Sequence, residues 1–144
     1  MKKVITFIAI AVSVSYFCIQ DQSGFAFEKP IIKNISLEVY KSNDYSSAIY
    51  KDATAKICIT ITKVSHGSRI IVWNKTFDAL QLKQYPSLAD ALLQKVSINN
   101  VFDNKEHLEV LCTISYNSNG GLLEIHNGVL LSKGITDGKL VIQI

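Results

Sequence analysis

Basic clusters are missing from this sequence. No run of Lys or Arg exceeds two residues, and Arg69 is the sole arginine. A nucleic-acid footprint needs clustered positive charge, so no nucleic acid is expected as a partner. No amphipathic basic helix points to a membrane surface either. Catalytic signatures are equally absent. There is no G-x-S-x-G, no Gly-rich phosphate loop, no H-E-x-x-H and no C-x-x-C. His66, His107 and His126 have no carboxylate or cysteine at ligand spacing, so neither a metal nor a cofactor is expected. No two reactive groups have a recognisable spacing, and the expectation is a protein that is not an enzyme. Asp103 and Glu106 flank Lys105 in what reads as a solvated turn. Internal repeats and low-complexity stretches are lacking too, which leaves one domain.

What is present begins with "MKKVITFIAIAVSVSYFC". Lys2 and Lys3 precede an apolar run from Val4 to Val14, broken only by Thr6 and Ser13. That is the pattern of an export signal, and the run is short for a bilayer span. Gly24 and Ala26 place a cleavage point before Phe27, giving a signal peptide over 1–26 and a single domain over 27–144. Two rivals are a retained helical anchor and a lipid-modified Cys18. The short run argues against the first. Tyr16 and Phe17, where a lipoprotein signal wants a small residue, argue against the second. Cleavage removes two lysines and one aspartate, taking the formal charge from +3 to +2. A periplasmic or secreted protein is expected, with no membrane contact after cleavage.

The rest of the chain alternates with the period of strands. Ile35, Leu37 and Val39 share one phase of "IIKNISLEVYK"; Ala55, Ile57, Ile59 and Ile61 share one phase of "TAKICITITKV"; Leu140, Ile142 and Ile144 share one phase of "KLVIQI". "SHGS", "DNKE" and "NSNGG" are turn chemistry, and Asn127-Gly128 is the strongest hairpin signal, because a type I′ turn needs two positive φ angles. A short strand is expected around "SAIYK". One segment differs: in "YPSLADALLQKV", Ser87 and Asp90 suggest a capping box, and Leu88, Ala91 and Leu92 fall at helical spacing. The expected fold is an all-β, immunoglobulin-like antiparallel sandwich with a short connector helix.

Cys58, Trp73 and Cys112 occur in the order of antibody-type domains. Alternation tests the match. Cys112 belongs to the apolar phase of Leu108, Val110, Ile114 and Tyr116, whereas Cys58 shares a phase with Lys56, Thr60 and Thr62. One sulfur faces in and the other out, so the two are expected to be unpaired; only a register slip or bulge would bring them together. Trp73 and Phe77 share a phase with Ile71 and read as core. Tyr40, Tyr45, Tyr50 and Tyr85 read as exposed aromatics, and converging on one surface they would make a carbohydrate-binding module.

From Ile57 to Ile125, "ICITITKV", "SHGS", "RIIVWNKTF", a longer connector, "KVSINNV", "DNKEH" and "LEVLCTISYNSNGG" follow one another in a layout that resembles the small periplasmic Ig-like proteins of curli systems. The resemblance implies a sandwich that transiently binds unfolded fibre subunits without cofactor or catalysis. One branch of that family carries C-x-C on its strand; Cys58-Ile59-Thr60 stands there instead, and no redox role is implied. The expected function is an exported binding module for a polypeptide, and the alternative is the carbohydrate-binding module. Lys56, Thr60 and Thr62, the polar phase of their strand, are the expected binding residues.

Overall fold

The computed structural model describes residues 28–144. The signal-peptide reading of 1–26, Cys18 and the cleavage point before Phe27 lie outside the described residues. Seven strands follow in order: β1 (Ile31–Tyr40), β2 (Thr54–Ser65), β3 (Ser68–Gln81), β4 (Leu92–Val101), β5 (Glu106–Ser118), β6 (Gly121–Leu131) and β7 (Asp137–Gln143). They form two sheets, a three-stranded one ordered β4-β1-β7 and a four-stranded one ordered β3-β2-β5-β6. All pairings are antiparallel except β1 with β7. The fold is an all-β sandwich.

The core is the apolar phase of each inner strand. Ile35, Leu37 and Val39 from one sheet meet Ile57, Ile59, Ile61, Leu108, Val110 and Ile114 from the other, all buried. β1 and β2 alternate buried with less-buried positions along most of their length, as a half-buried strand must. Each fully buried isoleucine or leucine contributes about 1.5–3 kcal/mol. β7 closes the three-stranded sheet with Leu140 and Ile142, and Ile144 donates its N–H to the Tyr40 carbonyl at 2.9 Å.

The turns "SHGS" and "NSNGG" form as expected. His66 and Gly67 take φ of 45° and 83°, the double left-handed conformation of a two-residue hairpin between β2 and β3. Ser118 pairs with Gly121 across the second turn.

Four expectations need correcting. Asn127-Gly128 is no hairpin: β6 runs straight through it, with Asn127 opposite Cys112 and Gly128 opposite Leu111. A Cβ on Gly128 would stand 2.6 Å from the Val110 carbonyl oxygen, so this glycine serves close strand approach. "SAIYK" is a single 3₁₀ turn, Ala48–Tyr50. The connector helix does not form. Ser87 Oγ donates to Asp90 Oδ2 at 2.8 Å, but the backbone makes only two turns there and Leu92 already opens β4. Pairing of Leu92 and Leu93 with Val39 and Glu38 outweighs a helical stripe of three residues. The connection uses a 3₁₀ turn at Leu82–Gln84 instead, capped by Gln81. Last, Ile71 does not share a face with Trp73. The ladder steps from Ile61↔Trp73 to Thr62↔Ile71, so Val72 is an extra residue. Trp73 and Phe77 pack against the core, as expected, while Ile71 is exposed on the other face.

Candidate functional site: the outer face of the four-stranded sheet

β2 is an inner strand of this sheet, between β3 and β5. Its outward phase carries Lys56, Cys58, Thr60 and Thr62, as alternation predicts. Cross-strand partners extend this phase into rows. Thr76, Cys58, Thr113 and His126 form one row; Asn74, Thr60, Leu111 and Gly128 the next; Ile71, Thr62, Glu109 and Leu130 the third. The structure thus sets Thr60 and Thr62 in the middle of an open face, half-buried, with Lys56 exposed towards one end.

The rows are stitched by side-chain hydrogen bonds. Asn74 Nδ2 donates to Thr60 Oγ1 at 2.8 Å, and Thr76 Oγ1 donates to Cys58 Sγ at 3.5 Å. Thr113 Oγ1 and His126 Nδ1 lie 3.0 Å apart, and Ser115 Oγ donates to Glu124 Oε1 at 3.0 Å. At the far end Arg69 grips Glu109 through both its terminal nitrogens, with His107 Nε2 3.4 Å from Glu109 Oε1. The Arg69 hydrogen bond, outweighing partial burial, holds the Glu109 carboxyl below its usual range. Among these polar groups stand apolar side chains: Leu111 is 50% exposed, Leu130 54% and Ile71 64%.

The Thr113–His126 contact is the nearest thing to a nucleophile and base. No third group among the described residues orients its ring, and it lies on an exposed sheet face. Cys58 Sγ accepts hydrogen bonds from Thr76 Oγ1 and Asn74 Nδ2. No cluster of three or more His, Cys, Asp or Glu suited to a metal occurs among the described residues.

Cys58 and Cys112 lie on adjacent strands, one step out of register, on opposite faces of the same sheet. Both are free, with Cys112 wholly buried. Burial, and secondarily the proximity of Cys58, pushes the Cys112 thiol up to about 11. A thiol so placed stays protonated and unreactive at neutral pH. In chain starting at Phe27, which lacks Cys18, an alkylating reagent under native, non-reducing conditions is therefore expected to label Cys58 alone, and both remaining cysteines once denaturant is added. Intact mass spectrometry reads the result; a form two mass units lighter that resists labelling would contradict the opposed faces.

Tyr40, Tyr45, Tyr50 and Tyr85 do not share one exposed surface. Tyr85 is buried and donates to the Ala55 carbonyl at 2.8 Å, with its pKa pushed up to about 12 chiefly by burial. Tyr45 packs on the core and meets Tyr50 edge-on, with ring centroids 5.0 Å apart. Tyr40 lies on the outer face of the other sheet, its hydroxyl accepting from Gln143 at 2.6 Å. Trp73 is packed at the core margin.

Two features escaped sequence reasoning. One is the ion pair of Lys33 with Asp103, Nζ to Oδ1 2.6 Å. Lys33 is in the inward phase of β1 and 0% exposed. Its ammonium also donates to the Ser132 and Leu131 carbonyls at 2.7 and 3.4 Å. Asp103 Oδ2 accepts the Gly134 N–H at 2.7 Å. The expected solvated turn is thus a clasp joining β1, the β4–β5 turn and the β6–β7 loop. Glu106 is drawn in as well, accepting the Phe102 N–H at 2.9 Å and pairing with Lys63 at 3.3 Å. The signal available was a lysine in the core phase of a strand. The other feature is β6, an outermost strand whose inward phase is exposed at Leu123 and Ile125, while further along Val129 packs on the core and Leu131 is buried.

No family model matches the chain, and no curated protein and no solved structure compared with it is significantly similar.

Proposed function

We propose that the protein is an exported, non-catalytic binding module for an extended polypeptide, a chaperone-like inhibitor of extracellular fibre subunits of the curli kind. The observation that carries this reading is the outer face of the four-stranded sheet. There Leu111, Leu130 and Ile71 stand exposed among the hydroxyl and amide groups of Thr60, Thr62, Thr113 and Asn74. Apolar side chains on such a face suit the alternate side chains of an extended segment, and the polar groups suit its backbone. Aggregation-prone strands need such a partner before they pair with one another. The basic and apolar N-terminus supports delivery to the periplasm or beyond. Burial of Tyr85 and the packing of Tyr45 and Trp73 on the core count against a carbohydrate platform, which requires exposed aromatics on one surface.

At substoichiometric ratios the protein should lengthen the lag of fibre growth by an amyloid subunit from its own source. Lys56→Glu with Thr60→Glu and Thr62→Glu introduces carboxylates along the outward phase of β2 and should shorten that lag back towards the unassisted value. Circular dichroism of the variant checks that it remains folded. A lag unaffected by the unaltered protein sinks the chaperone reading; an undiminished effect in the folded triple variant sinks only this surface.

A further inference from the structure

β6 pairs with β5 on one side, and no described residue pairs with its other side. Natural sheets blunt such edges with charges, prolines, bulges or short strands. β6 has little of this. It is an eleven-residue strand, GLLEIHNGVLL, containing no proline and a single formally charged residue, Glu124. Two of the other outer strands carry more, β3 with Arg69, Lys75 and Asp78 and β7 with Asp137 and Lys139, whereas β4, like β6, has one formally charged residue, Lys95. Leu122, Leu123, Ile125 and Leu130 of β6 are 69%, 60%, 44% and 54% exposed.

The strand is also its own complement. Reading outwards from His126, Leu122 mirrors Leu130 and Leu123 mirrors Val129. We propose that β6 pairs antiparallel with β6 of a second copy, about a two-fold axis through His126. Residues opposite one another then sum to 252, and each keeps its face. On the outer face Leu122 meets Leu130 of the second copy, and Glu124 meets Gly128. On the inner face the exposed Leu123 meets the half-buried Val129, and the exposed Ile125 meets Asn127. No like charges of the formally charged kind oppose each other, because the lone carboxylate faces a glycine. Any register shifted by one residue would set Leu122 and Leu130 on the wrong face.

The union joins two four-stranded sheets into one of eight strands. It stands whether or not the domain binds fibre subunits: the two surfaces share Leu130, but the dimer is made by the free backbone edge of β6 and the subunit-binding reading by the row of Lys56, Thr60 and Thr62.

Sedimentation velocity of the purified protein over a concentration series tests this. A concentration-dependent monomer–dimer equilibrium is expected. Leu122→Lys with Leu130→Lys places lysine against lysine twice and should weaken dimerisation by about 100-fold or more. Leu122→Glu with Leu130→Glu should do the same. An equimolar mixture of these two folded double variants should restore a dimer, because each lysine then faces a glutamate. Unaltered protein that stays monomeric throughout overturns the proposal. So does a dimer that survives both double variants, or a mixture that fails to recover one, since each means that the copies do not meet in this register. Full-length chain that is monomeric while chain starting at Phe27 dimerises would show the N-terminal segment, not a second copy, covering the edge.

Discussion

Asp103→Ala should lower the melting temperature by on the order of 10 °C, more than the loss of any other charge in the domain. The reason is asymmetry. Lys33 is completely buried, and without Asp103 its ammonium keeps only the Ser132 and Leu131 carbonyls. A buried charge stripped of its counter-charge is among the costliest defects a fold can carry. Lys33→Met should be milder. Asp103 is 20% exposed on its side chain and keeps the Gly134 N–H, so its carboxylate can turn to water. Combining the two substitutions should recover much of what Asp103→Ala alone loses. Equal damage from the two single variants would mean that the cost lies in packing rather than in stranded charge.

The same clasp predicts a pH dependence. The hydrogen bond from Lys33, then that from Gly134, holds the Asp103 carboxyl below its ordinary range. A depressed folded-state pKa contributes stability that is fully present above the unfolded carboxyl value of about 4 and fades as pH falls towards the folded one. Thermal unfolding from pH 6 down to pH 2 should therefore lose stability on the acid side. In Asp103→Ala that part of the loss should be missing.

Gly128→Val should destabilise the domain by about 1–3 kcal/mol and loosen the β5–β6 ladder, because its Cβ must displace the Val110 carbonyl, which is backbone and cannot swing aside. Hydrogen exchange should quicken in β6 and in its partner residues 108–112 of β5 before the rest of the sandwich. Asn127→Val serves as the contrast. Within a strand it loses two exposed contacts, Asn127 Nδ2 donating to the Val141 carbonyl at 3.4 Å and Oδ1 accepting the Gly128 N–H at 2.8 Å, and gains a β-branched side chain, so its cost should be about 1 kcal/mol or less. In a type I′ turn the same change would be severe, since valine resists positive φ. Denaturant unfolding of the two variants separates these cases, and a severe Asn127→Val would mean that β6 breaks where the structure shows it continuous.

These residues mark where the sequence could and could not be read. The alternation of Ile35, Leu37 and Val39, of Ile57, Ile59 and Ile61, and of Leu108, Val110 and Cys112 was legible, because a pleated strand sends neighbouring side chains to opposite faces whatever it later packs against. From that local rule came the all-β class, the opposed faces of Cys58 and Cys112, and the outward placement of Lys56, Thr60 and Thr62. The His66-Gly67 turn was legible for the same reason, since its geometry is closed within four residues.

Pairings between distant segments were decided only in the tertiary structure. Gly128 looked like a turn because its requirement for a missing side chain is visible in sequence, whereas the Val110 carbonyl that imposes it lies 18 positions earlier. Ile71 changed face because a single extra residue, Val72, in the pairing with β2 reverses every side chain beyond it. Lys33 could be buried only because Asp103 and the Ser132 carbonyl arrive from chain about seventy and a hundred residues away. Whether β6 lies in the middle of a sheet or at its edge depends on strand order, and strand order is set by long-range burial rather than by anything β6 contains. Period and turn chemistry act between neighbours and are written in the chain; register, edges and buried charge pairs exist only between segments that folding has brought together.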